Sequence, residues 1–262
     1  LRADGEEADF TNVNEVLSGT TANLRVEGEV DINASPADTE VNVAGIETHI
    51  EGDFDRDGDP NAIFTTDDDA DPSTAVSTVV EFNGTDDAVL SPGSKFTVSG
   101  DLVIDKTDVG VTLTEALAVT ENVTIAEPES PSAPNNTFTL DDNLFLSGGT
   151  AGTVTLDSGF ETQPGFFIIV DGSGTKNFQR NTGGATIPNL RISGGTDAQV
   201  QTALEFDGTI ELRDGGVTVT SGDFAPVADS DAEVRRFLDN SNADITENGG
   251  TFNDAGNGYD LS

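Results

Sequence analysis

Apolar and polar residues alternate along most of this chain, with Val, Ile, Leu and Phe in the apolar positions and Gly, Asn or Asp breaking the runs every few residues. Successive side chains of an extended strand point to opposite sides, so a period of two means strands that each bury one face. One unit recurs: apolar, x, apolar, a small or acidic break, apolar, x, apolar. It reads Leu24, Val26, Val30, Ile32; then Phe96, Val98, Leu102, Ile104; then Leu117, Val119, Val123, Ile125; then Phe138, Leu140, Leu144, Leu146; and again Leu204, Phe206, Ile210, Leu212. The copies that open at Phe96, Leu117 and Phe138 are 21 residues apart.

A fixed period of about 20 to 50 residues marks a solenoid, in which each coil covers the apolar face of its neighbour. The expected fold is therefore all-β, a parallel β-solenoid (β-helix) with a short C-terminal capping segment. A β-sandwich or jelly roll is the alternative, because its strands also arrive at regular spacing. The segments Phe82-Asn83-Gly84-Thr85, Ile187-Pro188-Asn189-Leu190-Arg191-Ile192 and Gly216-Val217-Thr218-Val219-Thr220-Ser221-Gly222 resemble the repeats of large secreted β-helical surface proteins of Bacteroidota-type bacteria. The likeness spans roughly residues 79–224 and implies a β-helical fold and an extracellular setting; it carries over no catalytic residue.

Composition shifts divide the chain. Residues 1–21 read as an extended N-terminal segment suited to donating a strand, 22–126 as a first β region with an acidic insert at 53–74, and 127–136 as a Pro-rich loop. Residues 137–224 form a second β region and 225–262 a C-terminal cap or interface segment. Ser230-Asp231-Ala232-Glu233 has the form of a helix capping box ahead of Val234, Phe237 and Leu238, with a weaker version at Thr196 and Gln199, so a short helix is expected to cap the last coil.

The formal charge is −38, from 49 acids against 11 Lys and Arg. Tracking a nucleic-acid backbone needs clustered cations, so nucleic acid is excluded as an expected partner, as are anionic membranes. No run of about 18 apolar residues is present for membrane insertion. Repulsion on this scale favours an environment in which salt screens the chain or calcium binds it. Cys is absent, which excludes a disulfide framework and thiolate metal sites. The chain opens at Leu1 rather than Met, as a processed product would, and carries Asn-x-Ser/Thr acceptors at Asn33, Asn83, Asn122 and Asn135. Glycans are thus a further candidate partner, and the expected location is extracellular, either at the cell surface or secreted.

The sharpest chemical motif is Asp53-Phe54-Asp55-Arg56-Asp57-Gly58-Asp59, which resembles the first half of an EF-hand-type loop. Alternate carboxylates before a sixth-position glycine can converge on a hard cation, so Asp53, Asp55, Asp57 and Asp59 are the candidate calcium residues. Phe64 stands where a bidentate Glu belongs, and the alternative is a solvated acidic turn. His49, the one histidine, reads as a surface or packed strand residue, and no nucleophile elbow or phosphate loop is visible. Phe82, Phe96, Phe138 and Phe206 occupy inward slots of the repeated unit and read as core.

A catalyst is not expected. The leading expectation is a self-associating structural subunit of an extracellular filament, matrix or surface layer, whose partners are copies of itself. A calcium-stabilised adhesin or binding module, and a polysaccharide-active β-helix enzyme using Arg180 or Arg191, are the alternatives.

Overall fold

A computed structural model of the chain describes residues 2–3, 8–11, 14–16, 23–26, 29–33, 39–43, 47–56, 62–65, 78–93, 96–107, 109–126, 137–147, 151–157, 159–162, 164–180, 186–195, 197–228, 232–236, 245–249 and 251–252. Of residues 2–3, 8–11, 14–16, 23, 33, 39–42, 56, 62–65, 96, 159–162, 236 and 247 the backbone alone is described.

All pairings among the described residues are parallel, and each joins a strand to the third strand further along the chain. The chain therefore winds as a coil with three faces. The first face is a single sheet of 11 strands, from Arg2–Ala3 to Ile245–Glu247. The second holds seven strands from Ala8–Thr11 to Gly159–Thr162, then four from Thr186–Ile187 to Thr251–Phe252. The third holds three strands from Asn14–Val16 to Ala62–Thr65, then seven from Phe96–Val98 to Glu233–Arg236. This is the expected β-solenoid; the antiparallel pairs of a sandwich do not occur among the described residues.

Parallel register stacks like on like. On the first face Val80, Leu102, Val123, Val154, Phe178, Val200 and Val219 form one inward column, and Val26, Ile50, Phe82, Ile104, Ile125 and Leu156 another. All of these side chains are buried, as are Phe138 and Phe206. The inward side chain of each coil covers the one beneath, so burial comes from stacking and not from a second sheet.

The coil length shows how the stack absorbs its inserts. One step on the first face takes 22 residues from Val80 to Leu102 and 21 from Leu102 to Val123, but 32 from Ile50 to Phe82 and 31 from Val123 to Val154. The longer steps contain the acidic insert and the Pro-rich loop. Residues 127–136 lie outside the described residues, yet Gly110–Leu113 pairs with Thr137–Leu140 across them, so the two expected β regions form one stack. Residues 8–11, expected to reach out to a neighbour, pair with Val30–Asn33 in the first coil.

Two expectations are corrected. Glu233–Arg236 is not helical: it is a strand paired with Thr209–Leu212, and Gln199 lies in the strand Ala198–Val200. Val234 and Arg235 extend an existing ladder, and that pairing overrides the local capping signal. Thr196, Ser230, Asp231, Phe237 and Leu238 lie outside the described residues. The second correction concerns the 21-residue register. Phe96 does pair with Leu117 on the third face, but Leu117 pairs next with Leu144, while Phe138 belongs to the second face opposite Val111. The recurring unit is a corner between two faces, and it appears at different corners of the coil; it is not the coil itself.

Two lysines run through the stack. Lys106 is the ladder partner of Gly84, and its Nζ donates to the Glu51 carbonyl one coil further down. Lys176 is the partner of Gly152, and its Nζ donates to Thr120 O at 2.7 Å, with Glu121 O at 3.4 Å. At Lys176 the intervening glycine opens the slot: a Cβ on Gly152 would lie 2.9 Å from Lys176 Nζ and 2.1 Å from Glu121 O. Both lysines are buried. Loss of hydration pulls both amines below the ordinary lysine range; Asp86, Glu51, Asp53 and Asp87 act against this at Lys106, and Glu121 and Asp171 at Lys176.

A lysine with a folded-state pKa below its unfolded value weighs against the fold while it is protonated in both states. That cost fades as pH rises through the folded pKa towards about 10.4. The stability of the wild type relative to Lys176→Met, read from urea midpoints, is therefore expected to increase as pH climbs through the alkaline range towards about 10. A flat or falling difference would contradict the buried amine.

Candidate functional site

At each corner the backbone leaves one ladder before it joins the next, and its N–H groups need acceptors. Backbone carbonyls of a neighbouring coil supply many of them, and at seven described positions an Asp or Asn side chain of the preceding coil does so. Asp53 Oδ1 accepts from Val89 N at 2.7 Å, Asp87 Oδ1 from Gly110 N at 2.9 Å and Asp101 Oδ1 from Asn122 N at 3.0 Å. Asn122 Oδ1 accepts from Thr153 N at 2.8 Å, Asn143 Oδ1 from Phe167 N at 2.9 Å and Asn189 Oδ1 from Thr209 N at 2.8 Å. Asp197 Oδ1 accepts from Gly216 N at 2.8 Å. Four of the acids, Asp53, Asp87, Asp101 and Asp197, thus serve as backbone caps. Asn122, which has the form of a glycan acceptor, is committed to this role, and its Nδ2 also donates to Asp101.

The calcium candidates divide in the same way. Asp53 is such a cap, and Phe54–Arg56 is an extended strand with Phe54 buried. Extended backbone holds Asp53 and Asp55 about 6.6 Å apart along the chain instead of wrapping them round a common centre. Asp55 is exposed and is the ladder partner of Asp31, which puts two carboxylates on the same side at the inter-strand spacing of about 4.8 Å. Asp57 and Asp59 lie outside the described residues.

A cluster of arginines round one glutamate lies towards the other end. Arg191, Glu211 and Arg235 are successive ladder partners on the third face. Arg191 Nε lies 2.7 Å from Glu211 Oε2 and Arg213 Nη2 lies 3.1 Å from the same oxygen, while Arg235 Nη1 is 3.8 Å from Oε1. Arg235 also pairs with Glu233, and the Arg191 guanidinium stacks 4.2 Å over the Phe167 ring. Phe167 is buried beneath it. Glu211, only 6% exposed, carries the network, and no local sequence signal marks it, because its partners lie on three coils. Of the two arginines considered for a lyase site, Arg191 is occupied here, and Arg180 is half-buried with its backbone N–H on Thr202 Oγ1 at 2.9 Å.

His49 lies on the strand Glu47–Ile50 as expected, but it is not isolated: Glu81 of the next coil is its ladder partner. In the core, a void of about 10 Å³ between Phe54, Phe82, Leu90 and Leu117 has room for no more than a water molecule. Comparison of the chain with known protein families, curated proteins and solved structures returned no match.

Two consequences can be measured. Glu211→Gln leaves three guanidinium groups facing one another and is expected to cost about 1–3 kcal/mol, whereas Glu233→Gln should cost less than about 0.5 kcal/mol. Asp55→Asn removes the like-charge pair with Asp31 and should raise the unfolding free energy, read from urea denaturation in low salt, by about 0.2–1 kcal/mol, a gain that shrinks to nothing near 1 M salt.

Proposed function

We propose that this chain is a structural subunit of an extracellular filament, matrix or surface layer, in which copies associate end to end. The observation that carries the reading is the set of edge strands at the two ends of the described stack. Among the described residues, Arg2–Ala3, Ala8–Thr11 and Asn14–Val16 are paired on one side only, and so are Glu233–Arg236, Ile245–Glu247 and Thr251–Phe252 at the other end. Unpaired strand edges are templates for further strands. The two ends present different surfaces, so contact between them is heterologous and propagates as a filament unless the rotation closes.

Charge supports the same reading. The Glu211 arginine network lies in the last coils and the Asp31–Asp55 pair in the early ones, so the two ends carry different charge arrangements. At low salt the overall charge of −38 opposes assembly; at high salt, or with calcium, that repulsion falls within a Debye length of about 3–10 Å.

Negative-stain electron microscopy and light scattering across salt and calcium concentrations test this. Filaments or ordered sheets that lengthen with ionic strength are expected. A monodisperse monomer under every condition would end the proposal.

A further inference from the structure

The outward side of the first face carries a second group of ligand-competent side chains. Glu47 and His49 stand two apart on one strand and so point the same way, and Glu81 faces His49 from the next coil. His49 Nε2 is 3.4 Å from Glu47 Oε1, and Nδ1 is 3.3 Å from Glu81 Oε1. One ligand atom from each of the three residues falls within 4.8 Å of the other two. The imidazole and Glu81 are mostly covered, at 16% and 18% exposure, while Glu47 opens to solvent at 46%. Asn83 sits beside them: its Nδ2 donates to Glu81 Oε1 at 2.8 Å, and its Oδ1 is buried without a hydrogen-bond partner.

We propose that His49, Glu47 and Glu81 bind a single divalent transition metal of the zinc type on this face. Ligands at about 2.0–2.2 Å from a tetrahedral ion lie about 3.3–3.5 Å from one another, and the three ligand atoms, within 4.8 Å of one another, need only small side-chain rotations to reach that spacing round one ring nitrogen. Rotation of Glu47, the most exposed of the three, closes the remaining distance. An imidazole selects zinc, nickel or copper over calcium and magnesium, which take oxygen ligands. One ring nitrogen takes the metal, and the Asn83 amide, which donates to Glu81, orients that carboxylate.

The electrostatics favour a divalent ion over a proton. An imidazolium neutralises one of the two carboxylates, whereas a divalent cation neutralises both, in a chain whose net charge is −38. Arg25, the ladder partner of His49 on its other side, is paired with Glu51.

Because the chain has one histidine, its imidazole gives a single set of ring resonances. Zinc titrated into the full chain, with excess calcium present to occupy the diffuse acidic surface, is expected to shift those resonances and saturate at one equivalent. Glu81→Gln should weaken this binding by about tenfold or more, and His49→Gln should abolish the one-equivalent step in competition with a chromophoric chelator. Circular dichroism confirms that each variant retains its strands. Ring resonances unmoved by equimolar zinc in the wild type, or one-equivalent binding retained by a folded His49→Gln, would overturn the site.

Discussion

Every corner of a parallel coil presents the same problem: a peptide N–H that has left one ladder and not yet joined the next must still find an acceptor. Leaving such a group buried and unpaired costs about 1–3 kcal/mol, and a long coil has many corners. At seven described positions an Asp or Asn of the coil below meets the need, from Asp53 near one end to Asp197 near the other. The bond ties each corner to its predecessor and so fixes the vertical register that lets the inward columns stack. Fold and charge are linked through this device, since several of the carboxylates that make the chain acidic are also its corner caps.

Inside the coil the problem is reversed. Columns of Val, Ile, Leu and Phe fill it, and the two buried lysines, Lys106 and Lys176, are tolerated because each amine reaches a carbonyl beyond the intervening coil. Outside, charge is arranged along the axis, with Asp31 and Asp55 stacked in early coils and the Glu211 network in late ones. Between them the first face groups one imidazole with two carboxylates. These features suit a body that joins its own kind and takes up cations.

The fold was largely legible in the sequence, because alternation and the repeated apolar unit are local. What the unit meant was less so. The equal steps from Phe96 to Leu117 and from Leu117 to Phe138 look alike on paper, yet only the first is one turn of the coil, since corners at different faces share the same grammar. The expected helix at residues 230–238 failed where strand pairing outweighed a capping motif. The corner caps did leave a signal: Asp53, Asp87, Asn122, Asn143, Asn189 and Asp197 each directly precede a buried residue that opens a strand. His49 with Glu81, and Glu211 with its arginines, left none. Those partners come together only once the number of residues in each coil is known, and the long coil between Ile50 and Phe82 hides it.

Burial also turns the two threaded lysines into clocks. An acylating reagent cannot reach Lys106 or Lys176 until neighbouring coils part, because both amines sit with 1% or less of their residue surface open to water. Labelling at these positions therefore proceeds at the rate at which the stack breathes, and it reports on two separate places along the rod, in the coils that follow the acidic insert and the Pro-rich loop.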